Sequence, residues 1–168
     1  MAGLPGSGKT TLASGLATRL RGRVLNKDEV RHALFAADEI EYSSAQDNFC
    51  LQLMLETAGQ LLQRDPQRFV FLDGRPFSRR YQIDNVVNAA AALHQKWRIL
   101  ECVCAEVLAR QRIEEQSASG AHPAGNRTFQ LYLEVKARFE AITLPKTVID
   151  TAQALPACVD QALTALQS

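Results

Sequence analysis

The sequence predicts an α/β fold of three layers, a parallel β-sheet with helices on both faces. Three observations predict it. Short apolar runs of strand character alternate with helical stretches along the 168 residues, the order that builds parallel βαβ units. One of these runs, Phe69-Val70-Phe71-Leu72-Asp73, is apolar at consecutive positions and closed by a carboxylate, as expected of a strand buried on both faces. The chain also opens on Gly3-Leu4-Pro5-Gly6-Ser7-Gly8-Lys9-Thr10, a glycine-rich turn that leads straight into a helix.

Taken in order, the first helix is expected from Thr11 to Leu20, with Leu12, Leu16 and Leu20 repeating every four residues. Arg23–Asn26 reads as a short strand, and Lys27 opens a short helix that lasts to about Ala37. Ser43 with Gln46 fits a capping box. It starts a helix to Arg64 whose stripe is Leu51, Met54, Ala58, Leu61 and Leu62. Asp65-Pro66 ends that helix, and the strand Phe69–Asp73 follows. A helix is expected over 79–95, a strand over Trp97–Cys104 and a helix over 106–115. Ser117–Gly125 is rich in small residues, glycine and proline. Thr128–Ile142 reads as a helix with Tyr132, Val135, Phe139 and Ile142 on one face. Thr147–Asp150 is the last strand, and Pro156 helps start the final helix. A buried strand is also expected ahead of Gly3, where only Met1 and Ala2 stand. They read as the end of a strand whose earlier residues lie upstream of this start.

The length suits one domain, residues 1–168, with a real core. A net charge of +1 excludes a uniformly basic nucleic-acid binder but leaves room for a local patch. No apolar run approaches the roughly 20 residues of a membrane span, and no signal-peptide pattern opens the chain. Cys50, Cys102, Cys104 and Cys158 form no C-x-x-C pair. They read as reduced thiols in a cytoplasmic protein.

The opening motif satisfies G-x-x-x-x-G-K-[ST], the P-loop pattern, at every required position. Gly3, Gly6 and Gly8 let the backbone bend so that successive N–H groups point into one concavity, with Pro5, Ser7 and Thr11 completing the wrap. That concavity and the N-terminus of the following helix suit a chain of phosphates. Lys9 would add a point charge on the β/γ-phosphates, and the Thr10 hydroxyl would ligate Mg²⁺. ATP and Mg²⁺ are therefore the expected cofactors.

Ligands of such sheets lie beyond the carboxyl ends of the strands, and polar residues fall there. Asp28 follows the second strand, where a carboxylate could accept the proton of an attacking hydroxyl. Arg31 is one helical turn on and could help hold an acceptor that carries a hydroxyl and an anionic group. Asn26-Lys27 does not extend to a guanine-reading N-K-x-D signature, because Glu29 stands in its fourth place. Asp73 ends its strand as a Walker-B acid would, facing the Mg²⁺ shell. Beyond it, Arg75 and Arg79 are candidates for the acceptor. Arg110 and Arg112 before the glycine-containing stretch and Arg127 after it suit a lid, about 110–128, that brings arginines to the transferring phosphoryl group. Arg112 and Arg127 are the catalytic candidates and Arg110 a nucleotide contact.

These residues resemble the small P-loop kinases related to the 5′-kinase domain of phage polynucleotide kinase, zeta toxins and chloramphenicol phosphotransferase, sequences classed with AAA-type ATPases. The resemblance rests on Gly3–Thr11, on Asn26-Lys27-Asp28-Glu29-Val30-Arg31, on Phe71-Leu72-Asp73-Gly74 with Ser78-Arg79-Arg80, on Val107–Arg112 and on the helix bearing Tyr132 to Glu140. It implies a five-stranded sheet, ATP·Mg²⁺ and transfer to a hydroxyl, with Asp28 as general base and Arg31 on the acceptor. The chain departs from the group at Gln116, where many relatives repeat the arginine, and at Asn126-Arg127, where Ser-Asp is common.

The activity expected is an ATP-dependent transfer of the γ-phosphoryl group to a hydroxyl of a small molecule. A polynucleotide 5′-hydroxyl kinase is an alternative that the near-neutral charge and sparse aromatics disfavour. A non-catalytic ATP-binding switch or ATPase module is another, and Asp28 argues against it. Neither the acceptor nor the oligomeric state is legible.

Overall fold

The computed structural model describes residues 1–119 and 128–167. In order these form α1 (Lys9–Leu20), β1 (Arg23–Asn26), α2 (Lys27–Leu34), α3 (Ser44–Arg64), β2 (Val70–Asp73), α4 (Arg80–Ala92), β3 (Leu100–Val103), α5 (Glu106–Ser119), α6 (Phe129–Ala137), β4 (Thr147–Asp150) and α7 (Leu155–Gln167). A single 3-10 turn, Ala37–Glu39, links α2 to α3.

The strands pair in parallel. β1 pairs with β2 in a register that sets Asn26 opposite Asp73. β3 pairs with β4 in a register that sets Val103 opposite Asp150. Met1 and Ala2 sit between these two ladders. The Met1 amine donates to Leu72 O at 3.0 Å. Ala2 makes an isolated parallel bridge to Glu101, with Ala2 N 2.8 Å from Leu100 O and Cys102 N 2.9 Å from Ala2 O. The five-stranded sheet expected from the resemblance is thus two two-stranded parallel sheets joined through this short segment. Two residues ahead of Gly3 cannot form a ladder along both neighbours. An apolar cavity of about 630 Å³, lined by Met1, Phe71, Leu55 and Ile83 among others, opens beside it.

The alternation of side chains along β2 distributes the helices. Phe71 packs with Leu12, Ala13 and Leu16 of α1 and with Cys158, Val159 and Ala162 of α7, together with Cys102 and Ile149. Val70 and Leu72 point the other way and pack against Met54 and Ala58 of α3. Leu51 of α3 and Ile83 of α4 cover Ala2 with Phe77 and Ile142. Burial of these side chains, worth about 1.5–3 kcal/mol each, holds the layers together.

Element limits differ from expectation where tertiary contacts decide them. The expected strand over 97–104 is paired only at Leu100–Val103, the four residues with a partner in β4. The expected helix 128–142 ends at Ala137. Glu140 N turns to donate to Ser78 O at 2.9 Å, and the Glu140 carboxylate takes Arg79 Nη1 and Arg80 N at 2.8 and 2.7 Å. Phe139 and Ile142 still reach the core cluster around Ala2. Among the described residues no helix is long and apolar enough to cross a membrane, and the four cysteines are free thiols.

Candidate active site

The carboxyl ends of the strands open into a cleft of about 660 Å³. One wall is the glycine-rich loop. Gly6 and Gly8 hold φ of 76° and 78°, in the left-handed region. A Cβ at Gly6 would lie 2.6 Å from Ala109 O, and one at Gly3 would lie 2.3 Å from Cys102 O. Only glycine lets the loop pass this close to α5 and β3. Helix α1 begins at Gly8 with no side-chain cap and no acidic residue in its first turn. Its leading amides thus remain for an anion. Lys9 Nζ donates to Gly3 O at 2.9 Å and Leu4 O at 2.8 Å, which holds the ammonium inside the loop. Pro5, Thr10 and Thr11 line the same wall. Ser7 is buried beneath it.

Arg112 and Thr151 brace this wall from behind. Arg112 Nη1 donates to Gly6 O at 3.3 Å and Thr151 Oγ1 at 3.0 Å, and its Nη2 donates to Thr151 O at 2.7 Å. The Thr151 hydroxyl donates to Ser7 O at 3.0 Å. Arg112 therefore does reach the cleft. Arg110 does not line it. Two residues apart on a helix, the two cannot share a face. Arg110 is exposed, pairs with Glu114 at 2.7 Å and lies 5.0 Å from the Phe129 ring centroid. Arg127, and with it most of the expected lid stretch, lies outside the described residues.

The opposite wall is built on β1, α2 and the start of α3. Asn26 caps α2, accepting Asp28 N at 2.9 Å and Glu29 N at 3.3 Å. Capping by Asn26 leaves the Asp28 carboxylate for other work. Asp28 lines the cleft although only 5 % of it is exposed. Its Oδ1 accepts Arg31 Nη1 at 2.7 Å and lies 3.4 Å from Lys27 Nζ. Arg31 also donates to Asp47 Oδ1 through Nη2 and to Gln46 Oε1 through Nε at 3.0 Å, with the Tyr42 ring 5.0 Å away. Lys27 Nζ donates to Asp47 Oδ1 at 2.7 Å.

Arg31 is 0 % exposed. It holds Asp28, Gln46 and Asp47 in place from behind. Gln46 was expected to complete a capping box. Its backbone N does bond Ser43 Oγ at 3.2 Å, but its side chain serves Arg31, Glu41 N and Glu39 O instead.

Asp73 stands opposite Asn26 and accepts its Nδ2 at 2.9 Å through Oδ2. The residue is 0 % exposed, and its Oδ1 is buried without a hydrogen-bond partner among the described residues. A buried carboxylate oxygen without a donor is costly, and a cation's hydration shell would satisfy it. Arg75 lines the cleft and donates to Asn48 Oδ1 at 2.7 Å. Arg79 does not line it. Its guanidinium pairs with Glu140 at 2.8 Å on the surface. Among the described residues no cluster of three or more His, Cys, Asp or Glu could hold a metal by itself.

Asp47, Gln46, Tyr42 and Thr151 are site residues that sequence reasoning missed. Asp47 in a first helical turn reads as an ordinary partner of the helix dipole. Only the fold brings it to Lys27 and Arg31.

A parallel α/β fold, a glycine cradle and an inward-facing lysine define a P-loop nucleotide-binding protein. The chain belongs to the AAA_33 family, described as an AAA domain, whose model matches residues 1–142. Among solved structures it is similar to a protein of Chloroflexus aurantiacus proposed to be a kinase, with 24 % identity over 95 % of this chain and 92 % of that one and a TM-score of 0.73. It is also similar to the APS kinase CysC of Mycobacterium tuberculosis, in complex with AMPPNP and APS, with 16 % identity, coverage of 99 % and 95 %, and a TM-score of 0.72. A gluconokinase from Sinorhizobium meliloti matches with 18 % identity, coverage of 99 % and 89 %, and a TM-score of 0.67. These likenesses show the shared P-loop kinase fold. No curated protein matches the chain.

Proposed function

We propose that this protein is a kinase that transfers the γ-phosphoryl group of ATP to a hydroxyl of a small-molecule acceptor. One observation carries the reading: the phosphate cradle with Lys9 and the carboxylate of Asp28 line the same cleft, on its two walls. A non-catalytic switch has no need of a carboxylate held in the cleft by a buried arginine, and a phosphorylated acceptor separates a kinase from an ATPase that uses the same carboxylate on water. The fold shared with an APS kinase and a gluconokinase supports a small acceptor.

The loop amides and the uncapped start of α1 bind the phosphates, and Lys9 moves from its carbonyl partners to their oxygens. Thr10 and Asp73 would hold Mg²⁺, for which the partnerless Oδ1 of Asp73 is the fitting group. When bound, Mg²⁺ neutralises charge on the phosphate oxygens. Asp28 accepts the proton of the acceptor hydroxyl and aims its oxygen along the line of attack. Arg31 and Lys27 fix the carboxylate. Arg112, bonded to Gly6 O, keeps a positive charge behind the loop. The protein is expected to work in the cytoplasm.

Calorimetry with ATP and Mg²⁺ tests the donor half, and heat of binding is the expected result. Mass spectrometry of a metabolite extract incubated with enzyme and ATP tests the transfer, and one compound should gain a phosphoryl group. Binding without any phosphorylated product would favour the switch.

A further inference from the structure

We propose that the acceptor carries an anionic group, a carboxylate, sulfate or phosphate, besides its hydroxyl, and that Arg75 and Arg138 receive it. This rests on the kinase reading above. Two arginines of the cleft that lack an acidic partner among the described residues point to it. Asp28 and Asp47 are matched by Lys27 and Arg31, each cation within ion-pair distance of both carboxylates. Arg75 and Arg138 line the same cleft, as does Glu29, and neither arginine has a carboxylate within ion-pair distance among the described residues.

Arg75 is the stronger sign. It is only 2 % exposed. Its hydrogen bonds go to neutral groups, the Asn48 amide oxygen at 2.7 Å and Asp47 O at 3.5 Å. Its Nε is buried with no hydrogen-bond partner among the described residues. A buried guanidinium without an anion is expensive to keep, and a ligand anion would offset that cost.

Arg138 supplies the outer contact. It is exposed where α6 ends, and no side-chain partner is found for it among the described residues. Glu140 N bonds Ser78 O at 2.9 Å, which ties the segment after α6 to the segment that follows Arg75. Arg31 is already matched by the Asp28 and Asp47 carboxylates. A guanidinium matches the planar or tetrahedral oxygens of such anions through its fork of N–H donors.

The test is calorimetric titration of sulfate into protein saturated with AMPPNP and Mg²⁺, at constant ionic strength, so that the P-loop is already filled. One saturable sulfate site is expected. Arg138→Ala should weaken it about tenfold or more, Arg138→Lys should keep most of it, and Arg19→Ala on the exposed face of α1 should leave it unchanged. Arg75→Met should weaken it similarly while AMPPNP affinity is kept. If that variant fails to bind AMPPNP, Arg138→Ala decides. Tight AMPPNP binding with no saturable sulfate site, or a site indifferent to Arg138→Ala, overturns this inference and leaves the kinase reading standing. No AMPPNP binding overturns both.

Discussion

The Asp28 carboxylate accepts a 2.7 Å hydrogen bond from Nη1 of Arg31, and of the two residues only Asp28 lines the cleft. The arginine is therefore a positioning residue. It also bonds Asp47 and Gln46, so its removal leaves two carboxylates without their main partner. Breaking a buried pair in this way costs about 3–5 kcal/mol. Arg31→Ala is expected to lower the denaturant midpoint markedly. Arg31→Lys should fold but misplace Asp28, lowering kcat with the acceptor KM nearly unchanged. A raised acceptor KM with normal kcat in Arg31→Lys would mean that the arginine touches substrate after all.

Asp28→Asn separates binding from chemistry. The amide keeps the size of the carboxylate but cannot take the proton of the hydroxyl. Loss of a general base lowers the rate by about 10²–10⁴-fold. ATP affinity by calorimetry should stay within about twofold, because the phosphate cradle lies on the other wall. Full turnover in this variant would remove Asp28 as the base.

How far the sequence can be read depends on how local each interaction is. The loop from Gly3 to Thr10 is legible because its chemistry is confined to eight consecutive residues. Asp28 and Asp73 are legible because a strand end fixes where they stand. The helix and strand order is legible from periodicity. Asp47, Gln46, Tyr42 and Thr151 are not, because each gains its role from a residue on another element. Arg79 and Arg110 read as site residues from their place in the chain, but they turn to Glu140 and Glu114 on the surface. The end of α6 escapes for the same reason, since Glu140 leaves the helix for a bond to Ser78 that no local pattern announces.

Gly6 makes the loop's closeness to α5 testable. Its φ of 76° is strained for any residue with a Cβ, and that Cβ would stand 2.6 Å from Ala109 O. Ala109 is helix backbone and cannot swing away. Gly6→Ala is expected to push the loop off α5 and abolish measurable ATP binding, with a lowered melting temperature. Unchanged ATP affinity in a folded variant would show that the loop does not depend on this contact.

Thr151 joins the loop to the end of β4. Its hydroxyl meets Ser7 O and Arg112 Nη1, each at 3.0 Å. Thr151→Val keeps the shape and removes both bonds. Intramolecular hydrogen bonds contribute about 1 kcal/mol each, more to a charged partner. Nucleotide affinity should fall about tenfold, with a smaller fall in melting temperature. Affinity equal to wild type would show that Arg112 and Ser7 are held without it.

Cys102 lies under the loop, 1 % exposed, with its carbonyl against Gly3. Burial pushes its thiol up from 9.0 to about 11, overriding the pull of the nearby Lys9 and Met1 amines. The unfolded chain then loses this proton at lower pH than the folded one does. Stability from the neutral thiol is fully present below pH 9 and is lost as the pH rises to about 11. The difference in unfolding free energy between wild type and Cys102→Ala should therefore be flat below pH 9 and shrink between pH 9 and about 11. Native protein at pH 8 should also resist alkylation at Cys102 by iodoacetamide until denaturant is added, because the reactive thiolate is not formed. Rapid native-state labelling at this position, or a stability difference that stays constant through pH 11, would place the thiol in contact with water and open the packing beneath the P-loop to revision.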